Sequence, residues 1–259
     1  MKNLLFPLLL LLGLTACQKT GAPSDATVRW PLHQTEQRQL IDSLLIRHGN
    51  FSLTATELFL RAFKYEQRLE VWLRPEGQGR FKLLKTYDFC TSSGQLGPKR
   101  REGDRQIPEG FYHIDRFNPR SHFFLSLGLN YPNEADRKLG HPQAPGSDIF
   151  IHGGCASIGC IPIRDRGIRE VYLLAERARA SGQTRIPVRL YPFDFDRIDR
   201  EDTYEKFPEH QAFWETLRPV YQHFERHRQL GPVEVDADGR YRTTNLRTQP
   251  PPSDSSRSR

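Results

Sequence analysis

The sequence has few of the residues that build metal centres. It contains 4 cysteines among 259 residues. His152, Cys155 and Cys160 are zinc-type ligands close together in the chain, but the second closely spaced pair that zinc sites usually use is missing. We therefore expect no metal and no cofactor, and zinc binding stays as an alternative. No internal repeat is visible, so one core with flanking segments is the natural organisation at this length.

The chain also lacks an apolar segment that spans a membrane. The run Leu4–Leu12 is shorter than the roughly 20 residues that a spanning helix needs, but with Lys2 before it the run is typical of a secretory signal. Leu14-Thr15-Ala16-Cys17 resembles a bacterial lipobox, which implies lipidation of Cys17, and Gln18 resembles the outer-membrane-directed type. We expect a periplasmic protein, lipid-anchored to the outer membrane of a Gram-negative bacterium. An ordinary signal peptide with an incidental Cys17 is the alternative.

Acidic residues are in deficit, with 31 Asp and Glu against 38 Lys and Arg, for a net charge of +7. Such a balance is compatible with nucleic-acid binding. An exported protein seldom meets nucleic acid, so we expect none as a partner. The acidic partners of that compartment are anionic lipid head groups and the free carboxylates of the cell wall.

The candidate reaction centre lies between Ile149 and Asp165, where the chain reads I-F-I-H-G-G-C-A-S-I-G-C-I-P-I-R-D. His152 ends an apolar run, and Cys160 closes the turn that follows. An imidazole that takes the proton of a nearby thiol makes it a reactive nucleophile. Gly159 permits a sharp turn, from which the amides of Gly159 and Cys160 are expected to point at a developing oxyanion. The alternative is an inert, buried cysteine.

The pattern H-G followed by S-x-G-C resembles the signature of the L,D-transpeptidase (YkuD-type) catalytic domain family. The compact form H-G-G-C-x-S-x-G-C resembles its YafK-like branch, and the match covers about residues 68–192. By this resemblance His152 is the general base, Cys160 is the nucleophile, and Ser157 and Gly159 shape the loop. Further support comes from Gly97-Pro98-Lys99, Glu102-Gly103-Asp104, Pro108–Tyr112 and Ser126–Asn133.

The loop departs from the wider family at its flanks. That family has a histidine before Gly-Cys and a basic residue soon after, whereas this chain has Ile158 and Ile161-Pro162-Ile163. Contacts made through those positions therefore do not carry over. Other polar residues in or near the matched segments are candidates for substrate binding, with a solvated surface position as the alternative for each: His122, Asn130, Tyr131, His141 and Arg164.

The predicted fold class is α+β, a β-rich catalytic domain with N- and C-terminal helical extensions. Alternation predicts strands, and the resemblance implies a sandwich-like sheet with the cysteine loop at one end. The predicted strands are 68–74 and 81–89, which form a hairpin around a turn at 75–79, and 111–114, 122–129, 148–152 and 186–191. Apolar spacing predicts helices at 40–46, 55–63, 168–178 (between Asp165 as cap and Gly182) and 204–228, the last interrupted near Pro219.

These patterns predict six segments. They are a lipoprotein signal peptide (1–17), a tether (18–36), an N-terminal helical segment (37–67), the catalytic domain (68–192), a C-terminal helical extension (193–245) and a disordered tail (246–259). Aromatic residues of the C-terminal helix are expected to cover the catalytic domain, and a wall of the substrate groove is the alternative.

Three cysteines remain if Cys17 is lipidated, an odd number in a compartment that favours disulfides. A Cys90–Cys155 bridge would leave Cys160 as the free thiol, whereas a Cys155–Cys160 bridge would disable it. The sequence does not choose between them, because bridging depends on Cα distances.

The predicted function is acyl transfer on peptidoglycan stem peptides through a thioester on Cys160. An amine resolves the thioester in transpeptidation, and water resolves it in hydrolysis. The resemblance implies a bond beside meso-diaminopimelate, so an amidase that releases wall-linked lipoprotein is the first alternative. A wall-binding lipoprotein without turnover is the second, and the intact set of His152, Ser157, Gly159 and Cys160 argues against it.

Overall fold

The computed structural model describes residues 30–49, 56–75, 79–197 and 200–243. The predicted signal peptide, the tether up to residue 29 and the predicted tail lie outside them. The strands are β1 (Thr56–Phe63), β2 (Arg68–Pro75), β3 (Lys82–Asp88), β4 (Gly110–Ser121), β5 (Phe124–Leu129), β6 (Phe150–His152), β7 (Ile161–Pro162), β8 (Ile186–Tyr191), β9 (Val233–Val235) and β10 (Tyr241–Thr243). The helices are α1 (Gln34–Arg47), α2 (Glu134–Leu139), α3 (Arg164–Ala180), α4 (Arg200–Lys206) and α5 (Pro208–His227).

Eight strands form one mixed sheet in the order β3-β2-β1-β8-β4-β5-β6-β7. The predicted hairpin is confirmed, because β2 and β3 pair antiparallel. Strand β8 lies in the middle, parallel to β1 and antiparallel to β4. At the far edge β7 pairs parallel with β6. Strands β9 and β10 form a separate antiparallel pair.

The prediction of a helix over Ala55–Phe63 is wrong, since Thr56–Phe63 form β1, which pairs with β2 along its whole length. Leu58 and Leu60 face the core shared with α1 and α3, and Phe59 faces Phe224 of α5. Both faces of β1 are therefore buried and the alternation disappears. A short continuous apolar run does not distinguish a strand from a helix by its period. The sheet thus begins inside the segment 37–67 that was predicted to be helical.

Helices α1 and α3 pack on one face of the sheet and share its main core. Helix α1 begins at Gln34, so it includes the last residues of the predicted tether. Helix α3 ends at Ala180, just before Gly182 at φ +101°, as predicted. The prediction for its start is wrong, because Ile163 is the N-cap residue and Asp165 lies in the first turn. Within the described ranges, no helix is both long and apolar enough to cross a membrane.

The C-terminal extension breaks at a different proline from the one predicted. Pro219 lies inside α5, and the break falls between α4 and α5, where Pro208 opens the second helix. A proline at the first helical position has a fixed φ that suits the helix, and it disfavours helical geometry at the preceding residue, here Phe207. The predicted covering role of the aromatic residues is confirmed, since Trp214 and Phe224 are fully buried against the sheet.

A buried carboxylate fixes α5 to the catalytic domain. Glu109 is fully buried and accepts hydrogen bonds from Trp214 Nε1 at 2.7 Å and from the Gly97 amide at 2.8 Å. Replacing Trp214 by phenylalanine keeps an aromatic ring there but removes one donor, and an unsatisfied buried acceptor costs about 1–3 kcal/mol. We expect urea denaturation of Trp214→Phe to show a loss of that size. An unchanged midpoint would mean that Glu109 finds another donor.

Candidate active site

The two candidate groups lie at the two ends of one loop at the edge of the sheet. His152 ends β6 and pairs with Pro162 of β7, in a parallel arrangement. Cys160 lies in the bend directly before β7, two residues from Pro162. The loop between β6 and β7 therefore joins the two candidate groups at the edge of the sheet.

The His152 side chain is held in one tautomer. It is only 2% exposed, and its Nδ1 lies 2.5 Å from the Gly153 carbonyl oxygen. A carbonyl oxygen only accepts hydrogen bonds, so Nδ1 carries the proton and Nε2 keeps a free lone pair. Burial lowers the pKa of His152, with an opposing contribution from the bond to Gly153. The imidazole is thus neutral near pH 7 and able to accept a proton.

Cys160 is a free and partly exposed thiol. Its sulfur lies 3.6 Å from the Asp148 carbonyl oxygen, to which the thiol donates. Burial raises the pKa of Cys160, and a hydrogen bond from the Phe150 backbone opposes this effect. With the pKa of the thiol raised and that of His152 lowered, both groups are neutral at rest. In this state a reactive thiolate forms only when the thiol gives up its proton.

Ser157 holds the loop around Cys160. Its hydroxyl accepts from the Cys160 amide at 2.9 Å and the Gly159 amide at 3.2 Å, and it donates to the Cys160 carbonyl at 2.8 Å. The expectation that these two amides point at an oxyanion is wrong for this structure, because the serine hydroxyl takes both. A serine readily reaches amides two and three residues further along, which the S-x-G-C spacing provides.

Gly159 is required where the loop meets the neighbouring segment. Its φ is +135°, a region that disfavours residues with a side chain, and a Cβ there would lie 3.0 Å from the Gln106 carbonyl oxygen. The predicted role of Gly159 in loop shape therefore has both a conformational and a steric basis.

The structure pairs Cys90 with Cys155 in a disulfide with a Cα–Cα distance of 5.5 Å, within the usual range. The alternative Cys155–Cys160 bridge is not formed, and Cys160 stays free. Cys155 is also lost as a ligand for the zinc alternative. The Cys90 amide also donates to the Pro162 carbonyl of β7 at 3.0 Å. The segment around Cys90 is therefore attached to the loop at Cys155 and to β7 at Pro162.

Removal of this disulfide should lower the stability of the protein more than its activity. It links residues separated by 65 positions, and such a bond typically contributes about 2–4 kcal/mol. We expect the double variant Cys90→Ser/Cys155→Ser to lose stability on this scale in chemical denaturation. It should keep a substantial part of the activity, because the Ser157 hydroxyl still holds the Gly159 and Cys160 amides of the loop. Complete loss of activity at normal stability would show that Cys155 takes part in the chemistry.

Comparisons with known proteins assign the domain. The family model for the L,D-transpeptidase catalytic domain matches residues 63–189. The protein named "Putative L,D-transpeptidase YafK" in Escherichia coli (strain K12) is 35% identical over 191 residues, which is 73% of this chain and 74% of that protein. The chain belongs to the L,D-transpeptidase catalytic domain family. The protein of the same name in Escherichia coli O157:H7 matches equally.

Two solved structures are distantly similar to this chain. The helical cell shape determining protein Pgp2 from Campylobacter jejuni is 18% identical, with a TM-score of 0.43 and coverage of 75% of this chain and 80% of that one. Bd1075 of Bdellovibrio bacteriovorus is 21% identical, with a TM-score of 0.37 and coverage of 65% and 62%.

The candidate substrate residues of this L,D-transpeptidase domain fall into two groups. Asn130 and Tyr131 serve the fold, because Asn130 Oδ1 accepts the His113 amide at 2.7 Å and the Tyr131 hydroxyl donates to Pro145 at 2.7 Å. His122 and Arg164 are exposed. His122 precedes Phe123, whose ring lies over His152. Arg164 lies two residues after the end of β7. They stay predicted substrate contacts.

Two features of the L,D-transpeptidase site were missed from the sequence. The ring of Phe123 lies over His152, with centroids 4.5 Å apart. Three non-glycine residues with left-handed backbone flank the site, namely Phe124 (φ 70°), Asp148 (φ 55°) and Arg164 (φ 63°). Such residues are uncommon and concentrate at functional sites. Their residue types give no sequence signal, because the backbone conformation is imposed by the surrounding contacts.

Proposed function

We propose that this protein is a cysteine acyltransferase that acts on peptidoglycan stem peptides. The observation that carries the proposal is the neutral His152, with its proton held on Nδ1, joined by the short β6–β7 loop to the free thiol of Cys160. Nε2 of His152 takes the thiol proton as sulfur attacks an amide carbonyl of the stem peptide. The imidazolium then gives this proton to the leaving amine, and a thioester on Cys160 results.

The second step decides between transpeptidase and amidase. A transpeptidase must hold an amine within about 3–3.5 Å of the thioester carbonyl to compete with water. Ile158 is 78% exposed and apolar, at a position where the wider family has a histidine. The loss of polar contacts for an acceptor favours water or a different amine. Hydrolysis of an amide linked to meso-diaminopimelate, such as that of a wall-bound lipoprotein, is therefore the second candidate function.

Digestion products distinguish the two outcomes. The purified soluble domain is incubated with cross-linked sacculi and with lipoprotein-bearing sacculi, and the muropeptides are separated. New dimers linked between diaminopimelate residues support transfer, and released lipoprotein supports the amidase. Neither product, with a demonstrably reactive Cys160, would mean that the substrate class is wrong. An acyl adduct on Cys160 in intact-protein mass spectrometry excludes the wall-binding lipoprotein without turnover.

We also propose that the protein is exported and lipid-anchored through Cys17, in the periplasm at the outer membrane. Leu14-Thr15-Ala16-Cys17 supports this proposal, and these residues lie outside the described ranges. A fatty-acid analogue should label the parent protein and leave Cys17→Ser unlabelled. An unlabelled parent, or a labelled serine variant, contradicts lipidation.

A further inference from the structure

One peptide group of the catalytic loop is hydrogen-bonded at both ends. The Gly153 carbonyl accepts from Nδ1 of His152 at 2.5 Å. The Gly154 amide donates to Oδ1 of Asp165 at 2.7 Å. This carbonyl and this amide belong to the same peptide group. Two hydrogen bonds through one peptide therefore connect the Asp165 carboxylate to the His152 imidazole.

We propose that Asp165 is a positioning residue that acts on His152 through the Gly153–Gly154 peptide, a role that rests on the proposed function. The carboxylate fixes the peptide plane and so holds the carbonyl that selects the Nδ1-protonated tautomer. It also polarises the peptide, because hydrogen bonds in a chain strengthen one another. A more negative Gly153 oxygen stabilises the imidazolium that forms when His152 takes the Cys160 proton. In serine hydrolases a carboxylate does this directly; here a peptide group lies between.

Close packing keeps the connection in place. A Cβ on Gly153 would lie 2.5 Å from Asp165 Oδ1 and 2.5 Å from the Phe123 carbonyl oxygen, so the turn has no room for a side chain. The Ile163 amide donates to the His152 carbonyl at 3.0 Å, which fixes the start of α3 against the end of β6. Asp165, in the first turn of α3, is half-buried and held over the turn by the backbone.

The elements next to His152 carry few ionisable side chains other than Asp165. Strands β5 and β7, which flank β6, carry no ionisable side chain. Arg164 and Arg166 flank Asp165 on α3 and are exposed. In the loop between β6 and β7, Cys160 is the cysteine that is free to titrate, because Cys155 is in the disulfide. Burial lowers the pKa of His152 while the bond to Gly153 raises it, so the peptide connection opposes the desolvation of the imidazolium.

A merely structural role for Asp165 predicts a different result. An acidic residue in the first turn stabilises a helix through the helix dipole, so any Asp165 variant is expected to lose some stability. That effect does not reach the His152 ring. The test therefore needs measurements on His152 and Cys160 themselves, and thermal unfolding is recorded separately.

The test compares Asp165→Asn, which keeps an acceptor without the charge, with Asp165→Ala, which removes both. Glu176→Gln is the matched control, since it removes a half-buried negative charge from the same helix far from the loop. The first measurement is the NMR shift of the His152 Nδ1 proton. The second is the rate of Cys160 alkylation by iodoacetamide as a function of pH. Neither uses a wall substrate, so their outcome is separate from that of the proposed function.

The expected result is graded. The Nδ1 proton moves upfield in Asp165→Asn and further in Asp165→Ala, and alkylation near pH 7 slows by about 10-fold or more in the alanine variant, as is usual for outer partners of a reactive histidine. Glu176→Gln matches the parent. Asp165 variants that are less stable, but have the parent's Nδ1 shift and alkylation profile, would overturn the proposal. If Asp165→Ala does not fold, Asp165→Asn decides by the same two measurements.

Discussion

The Cys160→Ala protein is expected to form no acyl-enzyme and to have no activity on wall substrates, while it keeps its fold. The thiol donates to the Asp148 carbonyl at a long 3.6 Å and accepts from the Phe150 backbone. Loop shape comes instead from the Ser157 hydroxyl and the Cys90–Cys155 disulfide. Loss of the thiol should therefore change the free energy of unfolding by no more than about 1 kcal/mol. The measurements are muropeptide turnover, intact-protein mass spectrometry and urea denaturation.

Cys160→Ser is the matched variant for this experiment. A hydroxyl preserves size and hydrogen bonding but gives up its proton far less readily than a thiol, so this variant should be as inactive as the alanine one. Near-normal turnover in Cys160→Ala would remove the thioester mechanism. Retained binding of stem peptides, with no turnover in the parent either, would favour the wall-binding alternative.

The sequence predicted the elements whose residues follow a clear period. In β2, Leu69, Val71 and Leu73 alternate with polar or larger residues, and α3 has a helical period, so the hairpin and the helix were predicted, apart from the start of α3. Strand β1 was mistaken for a helix because α3 packs on one of its faces and α5 on the other. The helix break was predicted near Pro219 but lies at Pro208. The reason is similar, because residues on either side of Pro219 pack in the core and keep α5 continuous.

The sequence predicted the residues of the candidate site but not the hydrogen bonds and the disulfide among them. The spacing of His152, Ser157 and Cys160 predicts that these residues belong to one short segment of the chain. It did not show that Ser157 takes the amides of Gly159 and Cys160, nor which cysteine pairs with Cys155. These outcomes depend on distances between segments that are remote in sequence. Asp165 was predicted as a helix cap, and its contact with Gly154 became visible only once β6 and α3 were placed together.

Removal of the base should have the second largest effect. We expect His152→Gln to slow acylation by about 10²–10⁴-fold near neutral pH, the usual contribution of a general base. Glutamine is chosen because the position is buried beneath Phe123, and glutamine is a polar side chain of similar length without a basic nitrogen. The measurement is the second-order rate of thioester formation by rapid-quench mass spectrometry. Thermal unfolding checks that the variant is folded.

The pH dependence of the acylation rate distinguishes the loss of a general base from a change in the shape of the loop. In the parent, neutral His152 accepts the proton, so the rate falls only as pH drops through the pKa of His152, which burial lowers. Above that pKa the rate should be flat up to the raised pKa of Cys160. Without a base, only the free thiolate reacts, and its population rises by about tenfold per pH unit below the pKa of the thiol. The rate of His152→Gln should therefore climb steadily toward that of the parent as pH increases. A variant whose rate is lower by one constant factor at every pH would show that His152 shapes the loop and does not take the proton.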